Sequence, residues 1–155
     1  MYIKGLTVLV LSLITLCLIS GVNAPIQTNI TPNNITVKDY FYKIANVPYK
    51  ANYDSNQPKT PQQFWHDNYG DCDDKAVAFL DYLYTHGERN ISLVTLSHES
   101  GEYSHACLLW NNQIYDPTIT PPVYNMEKER YYKTLQELGF TSRYTTPYKG
   151  GKKIK

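Results

Sequence analysis

The sequence contains few cysteines and little net charge, and both shortages limit what the protein can be. Its 155 residues include three cysteines, and 15 Lys and Arg stand against 14 Asp and Glu, for a formal net charge of +1. A chain with so balanced a charge gives no indication of nucleic-acid binding. The cysteines and histidines also lack the paired spacing that is typical of structural zinc sites, so we expect neither a metal nor a cofactor.

Phenylalanine is scarce as well, with four residues against 15 tyrosines. Such a composition predicts an aromatic but polar surface, which is common in extracellular proteins that bind carbohydrate or peptide. Without its first 24 residues, the chain is long enough for one domain with a hydrophobic core and too short for two domains of ordinary size.

The N-terminal residues 1–24 predict export. A single positive charge at Lys4 precedes an apolar run over residues 5–22. Val22-Asn23-Ala24 fits the small-x-small pattern of a cleavage site, but Pro25 directly after it is unfavourable for signal peptidase, and the run is nearly long enough to span a bilayer. The segment is therefore either a cleaved signal peptide or a membrane anchor, and we expect the protein to be secreted or tethered at the cell surface.

The rest of the chain divides into three parts by composition. Residues 25–36 are rich in Asn, Thr and Pro and predict a polar tether. Residues 37–148 predict one α+β domain, with helices at Val37 to Ala45, Gln62 to His66 and Met126 to Leu138, and an edge strand from Phe140 to Tyr148. The last of these helices has Tyr131, Leu135 and Leu138 on one side. Residues 149–155 form a basic tail, which we interpret as a solvated end of the chain.

Cys72 begins a predicted amphipathic helix. From it, Ala76, Phe79, Leu80 and Leu83 recur at spacings of three and four, and Gly87 marks the end. Asp71 suits the N-cap position. A thiol in the first turn of a helix lies near unpaired backbone N–H groups, whose partial positive charge favours the nucleophilic thiolate. A lone cysteine on a helix is more often a small core residue, so Cys72 needs further support.

A predicted hairpin supplies that support. Ile91 to Leu96 and Ser104 to Trp110 have the composition of strands, and the turn pair Asn111-Asn112 leads into the strand Gln113 to Asp116. A two-residue loop pairs Trp110 with Gln113, which leaves His105 diagonal to Asp116 on one face of the sheet, about 7–8 Å apart at the backbone. An imidazole and a carboxylate can hydrogen-bond over that separation. Cysteine, histidine and carboxylate together form the nucleophile, base and orienter that acyl transfer needs.

Three segments together resemble the transglutaminase-like superfamily, including its bacterial cysteine proteinase branch. They are Gly70-Asp71-Cys72-Asp73-Asp74-Lys75-Ala76, His105-Ala106 and Tyr115-Asp116-Pro117-Thr118, and the upstream Thr60-Pro61-Gln62-Gln63-Phe64 is similar to the Thr-Pro segment of that branch. The resemblance spans about residues 58–120. It implies a papain-like core, in which a helix with Cys72 packs against an antiparallel sheet with His105 and Asp116.

The mechanism that the resemblance implies is acyl transfer through a thioester. Cys72 would be the nucleophile, His105 the base and later the acid, and Asp116 the group that orients the imidazole. The oxyanion would accept from the backbone N–H of Cys72 and from one upstream donor, for which Gln62, Gln63 and Trp65 are candidates. We therefore predict an exported cysteine peptidase, amidase or transamidase whose partner is a peptide, a protein or a cell-wall amide.

Other interpretations stay open on the sequence alone. A disulfide between Cys72 and Cys107 would remove the nucleophile, and the protein would then be a surface-anchored binding module without catalysis. A zinc site built from Cys72, His105 and Asp116 is a second alternative, although no ligand spacing supports it. Calcium is a minor possibility at the acidic segment around Asp71, where the glycine is misplaced for an EF-hand loop.

Overall fold

Helices and a single sheet make up the part of the chain that this computed structural model describes, residues 35–51 and 57–150. The elements are α1 (Val37–Ala45), α2 (Pro61–Asp67), α3 (Cys72–Thr85), β1 (Ile91–His98), β2 (Ser104–Trp110), β3 (Gln113–Asp116), β4 (Val123–Glu127), α4 (Lys128–Glu137) and β5 (Phe140–Pro147). The predicted export segment, the tether up to residue 34 and the tail from residue 151 lie outside the described residues.

The five strands form an antiparallel sheet in the order β4-β3-β2-β1-β5. The predicted hairpin is confirmed, since Trp110 lies opposite Gln113. Its turn residues Asn111 and Asn112 have φ values of 48° and 66°, a left-handed conformation that asparagine tolerates better than most residues. This register brings the start of β2, with His105, beside the end of β3, with Asp116.

Helices cover both faces of the sheet. On one face α3 contributes Phe79, Leu80 and Leu83 to a core that it shares with side chains of the sheet. Helix α1 packs beside α3, where the Tyr40 ring stacks on Tyr82 at a centroid distance of 3.8 Å. On the other face the buried side chains come from α4 and three strands, namely Val94, Leu96, Cys107, Ile114, Tyr131 and Leu135. The predicted α+β class is confirmed, with the Cys72 helix packed on an antiparallel sheet that carries His105 and Asp116.

The N-terminus of α3 is fixed by reciprocal capping. The Asp71 side chain accepts a hydrogen bond from the Asp74 backbone N–H, and the Asp74 side chain accepts one from the Asp71 N–H. This capping box satisfies donors that a helix cannot pair internally. It confirms Asp71 as the N-cap and holds the first turn, where Cys72 lies, in one conformation.

Gly70 is held tightly just before this cap. Its N–H donates to the Pro48 carbonyl and its own carbonyl accepts from Lys50 N–H. A Cβ atom at this position would lie 2.8 Å from the Asp74 Cβ and 2.9 Å from the Phe64 ring. Glycine is thus required by close packing against the capping residue.

We expect Gly70→Ala to lower the free energy of unfolding by about 1–3 kcal/mol, because the methyl group overpacks a site bounded by the Asp74 Cβ and the buried Phe64 ring. Urea unfolding followed by circular dichroism measures the loss. Gly101→Ala is a contrasting control, since it meets no atom within 4 Å and carries only the strain of its φ of 72°. An unchanged unfolding midpoint in Gly70→Ala would contradict the packing argument.

The C-terminal helix differs from its prediction. Residues Val123–Glu127 form strand β4, and the helix begins only at Lys128. Leu138, which was predicted to share the buried face of Tyr131 and Leu135, follows the helix and is 61% exposed. The predicted edge strand is confirmed as β5, Phe140–Pro147, which pairs with β1.

In the described ranges, no helix combines the length and the apolar character needed to cross a membrane.

Candidate active site

His105 and Asp116 form a buried pair. The His105 Nε2 lies 2.7 Å from the Asp116 Oδ2, and the carboxylate is fully buried. The two residues lie on neighbouring strands of the hairpin, so the register of β2 and β3 brings them together as the sequence predicts. Donation of the imidazole N–H to a carboxylate stabilises a positively charged imidazole and fixes the ring.

Two further donors converge on the same carboxylate. The Tyr131 hydroxyl on α4 donates to Asp116 Oδ2 at 2.6 Å, and the Thr118 backbone N–H donates to Oδ1 at 2.9 Å. Burial disfavours the charged carboxylate, but the hydrogen bonds from His105, Tyr131 and Thr118 outweigh it and lower the pKa of Asp116. Asp116 is thus an anion surrounded by three donors.

The Cys72 thiol is the second polar side chain that acts on His105. Because Nε2 faces Asp116, the remaining ring nitrogen, Nδ1, is the one that can face the sulfur. Burial opposes the charge on the imidazole, yet the hydrogen bond with Asp116 and the interaction with Cys72 raise the pKa of His105 to about 10. The imidazole is therefore protonated at neutral pH.

Cys107 has a different environment from Cys72. Both are free thiols, and Cys72 is partly exposed whereas Cys107 is fully buried. Burial, with a smaller contribution from Asp116, raises the pKa of the Cys107 thiol well above its usual range. Tyr131 belongs to the same buried cluster, and its hydroxyl partly opposes that shift. Cys107 therefore suits the interior of the protein, and Cys72 suits the nucleophile.

The three predicted oxyanion donors lie on α2, and two of them have other contacts. The Gln63 side chain accepts hydrogen bonds from the backbone N–H and the hydroxyl of Thr60, which completes the capping box of α2. The Trp65 indole N–H donates to the Tyr40 hydroxyl at 3.1 Å, and Gln62 is exposed. The assignment of the upstream donor stays a prediction.

Three carboxylates cluster at the start of α3. One oxygen each from Asp71, Asp73 and Asp74 lies within 4.8 Å of the others, which makes this, in the part of the chain that the structure describes, the group that could hold a metal ion. Burial, followed by the hydrogen bond and charge of Asp71, raises the pKa of Asp73 to about 8. Asp71 and Asp74 already serve as caps, so the cluster has a structural role.

Lys75 is an unusual neighbour of the site. Its side chain is buried, and its ammonium donates to the Ala45 carbonyl at 3.0 Å, at the C-terminus of α1. A cation is favoured there by the helix dipole. Burial lowers the pKa of Lys75, and the charge of Asp116 opposes that shift.

Sequence reasoning brought out Cys72, His105 and Asp116 but missed the groups that surround the carboxylate. Tyr131 was expected only as an apolar contact of its helix, and no role was expected for the Thr118 N–H. The available signal was weak: a tyrosine on the buried face of a helix needs a partner for its hydroxyl. That requirement predicts a polar neighbour without identifying it.

Comparisons with known proteins give structural matches alone. No protein-family model matches the sequence, and no curated protein matches it. A solved structure of Legionella pneumophila LapG is similar with a TM-score of 0.48 and 16% sequence identity, covering 63% of this chain and 61% of that chain. The EGTA-treated LapG structure has the same TM-score and identity over 63% and 60% of the two chains. Calcium-bound LapG matches with a TM-score of 0.48 and 15% identity over 63% and 61%. The chain thus spans about three fifths of the length of the LapG chains.

Proposed function

We propose that the protein is a cysteine hydrolase or acyltransferase that acts on amide, peptide or isopeptide bonds through Cys72, His105 and Asp116. The observation that carries this proposal is the environment of His105, whose imidazole is hydrogen-bonded to the buried Asp116 and interacts with the Cys72 thiol. The sequence resemblance to the transglutaminase-like superfamily supports the same assignment, since it rests on the same three residues.

In the resting site His105 is protonated at neutral pH, because its pKa is raised to about 10. The proposed reaction begins with Cys72 as a thiolate beside this imidazolium. The Cys72 thiolate then attacks the carbonyl carbon of the substrate, and the electrons of the C=O bond move to the oxygen. Asp116 keeps the imidazolium aimed at the reacting atoms.

Collapse of this intermediate breaks the C–N bond. The His105 imidazolium gives its Nδ1 proton to the leaving amine, and a thioester of Cys72 remains. The neutral imidazole next removes a proton from water, in hydrolysis, or from a second amine, in transamidation, as that molecule attacks the thioester carbonyl. The C–S bond then breaks, and the Cys72 thiolate is restored beside the protonated imidazole.

The location of the substrate follows from the export prediction. If residues 1–24 direct export, the amide lies outside the cytoplasm, in a peptide, a protein or the cell wall. Peptide, glutamine-donor and cell-wall isopeptide substrates separate these classes. Release of product with and without an added amine separates hydrolysis from transfer, because both routes share the thioester.

Iodoacetamide labelling at pH about 5 tests the proposal directly. An ion-paired thiolate persists at a pH where an ordinary thiol is protonated, so we expect Cys72 to react at least tenfold faster than glutathione. Mass spectrometry of the two cysteine peptides measures the site of labelling.

Cys107 is the internal control, because it is fully buried and should stay unlabelled until the protein unfolds. A rate for Cys72 no faster than that of glutathione would exclude the ion pair. Resistance of both thiols, combined with a disulfide between them, would favour a binding module without catalysis.

A further inference from the structure

We propose that Tyr131 is a positioning residue for the catalytic pair, and that Cys107 orients its hydroxyl. The proposal rests on the proposed function, because it concerns how Asp116 acts on His105. It assigns a role to the second cysteine of the described chain and to helix α4, for which the sequence suggested no chemistry.

Tyr131 and His105 contact the same oxygen of Asp116. Its hydroxyl donates at 2.6 Å to Asp116 Oδ2, which is the same oxygen that lies 2.7 Å from His105 Nε2. The other carboxylate oxygen accepts from the Thr118 backbone. The Tyr131 hydroxyl therefore competes with the imidazole for the charge of one oxygen and restricts rotation of the carboxylate.

A count of protons supports a role for the Cys107 thiol. A tyrosine hydroxyl has one proton, and Tyr131 donates it to Asp116. Cys107 lies in the same buried cluster as Tyr131, and its thiol acts on the phenolic hydroxyl. The phenolic oxygen is free to accept the thiol proton, which would orient the hydroxyl toward Asp116.

The contacts are buried, which makes them effective. Tyr131 is 2% exposed, and Cys107 and Asp116 are fully buried. Tyr131 is held there by apolar neighbours of the α4 face of the sheet, such as Leu96 and Leu135. A hydrogen bond to a charged group is strong in such surroundings, because water does not compete for it.

Several charged or titratable groups surround the His105 and Asp116 pair. From the elements packed against it these are Cys72 and Lys75 on α3, Cys107 on β2 and Tyr131 on α4. Among these groups, Tyr131 is the neutral one that donates a hydrogen bond to Oδ2. Loss of its hydroxyl therefore removes a donor without changing any charge around the pair.

Tyr131→Phe tests the proposal, because the ring is kept and only the hydroxyl is lost. Without this donor, more of the charge of Oδ2 acts on His105, and the imidazolium becomes harder to deprotonate. We expect the midpoint of the His105 titration to rise by about one pH unit, and turnover to fall about tenfold because a more tightly held imidazolium is a weaker acid for the leaving amine. NMR of the imidazole ring, assigned with His105→Ala, measures the titration independently of activity.

Tyr132→Phe is the matched control. Tyr132 is the next residue of α4, and its ring lies under the Arg143 guanidinium at 4.0 Å, so loss of its hydroxyl should leave the His105 titration unchanged. Cys107→Ala is a second test that does not depend on the folding of Tyr131→Phe. Loss of its thiol weakens the Tyr131 donor, and we expect a rise of about half a pH unit.

The outcomes separate this proposal from the proposed function. Fast labelling of wild-type Cys72 with a raised His105 titration in the folded variants supports both. Fast labelling with an unchanged or lowered midpoint of the His105 titration in Tyr131→Phe overturns the role of Tyr131 and leaves the proposed function intact. Where Tyr131→Phe does not fold, an unchanged midpoint in Cys107→Ala overturns the role of Tyr131 in the same way. Slow wild-type labelling removes the proposed function and with it the catalytic meaning of Tyr131.

Discussion

Asp116→Asn is expected to lower turnover by about 10²–10⁴, because an amide cannot accept from all three donors around it. His105, Tyr131 and Thr118 each donate to a carboxylate oxygen. An asparagine has one acceptor oxygen, and its NH₂ group would face at least one of these donors. The substitution therefore leaves either the imidazole without the partner that supports its positive charge or the Thr118 backbone N–H without its acceptor.

Two measurements isolate this effect, namely kcat and the labelling rate of Cys72. Asp116→Asn should fold, with a lower midpoint of unfolding, and should lose both turnover and fast labelling at pH about 5. Glu137→Gln, which removes an exposed carboxylate at the end of α4, should change neither. Retention of at least half of wild-type kcat in Asp116→Asn would mean that the carboxylate does not support the base.

His105→Ala should abolish both the fast labelling of Cys72 and turnover. Without the imidazolium, the labelling rate should follow the ionisation of an ordinary thiol, with a midpoint near about 8.5. Labelling from pH 4 to 10 measures this profile. His86→Ala is a matched control, because His86 is the C-cap residue at the far end of the same helix. A variant profile that overlays the wild-type curve would show that the two residues do not interact.

His105→Ala should also change how the free energy of unfolding depends on pH. His105 has a pKa of about 10 in the folded protein against an ordinary value of 6.5, so its contribution is fully present below pH 6.5 and is lost as the pH rises toward 10. Asp116 has a lowered pKa, so its contribution is present above 3.8 and is lost as the pH falls through the folded value. The difference in the free energy of unfolding between wild type and His105→Ala should therefore shrink from pH 6.5 to 10, as measured by urea unfolding.

The helix with Cys72 and the hairpin could be predicted because their signals are local. The N-cap Asp71, the spacing of Phe79 and Leu83, and a two-residue turn each fix a conformation within a few residues. The diagonal approach of His105 to Asp116 then follows from strand geometry. The contact with Cys72 requires the packing of α3 on the sheet, which the sequence indicated only through its resemblance to a superfamily.

Features that depend on distant contacts were not predicted. Strand β4 contains Asn125 at a φ of 64° and pairs with β3 through a register shift, so its sequence lacks the regular alternation of a strand. Leu138 fits the helical spacing of Leu135, but the chain leaves the helix before it. The Tyr131 hydroxyl finds Asp116 only when α4 docks on the sheet, and no local pattern encodes that docking.

The buried ammonium of Lys75 offsets the charge of the buried Asp116 carboxylate, which acts on it. In the proposed reaction, the thiolate of Cys72 is likewise offset by the His105 imidazolium. In the thioester stage Cys72 and His105 are both uncharged, and the charges of Asp116 and Lys75 are unaltered. The proposed reaction of a neutral amide therefore leaves the summed charge of these four groups unchanged, in surroundings whose low polarity would make a new charge costly.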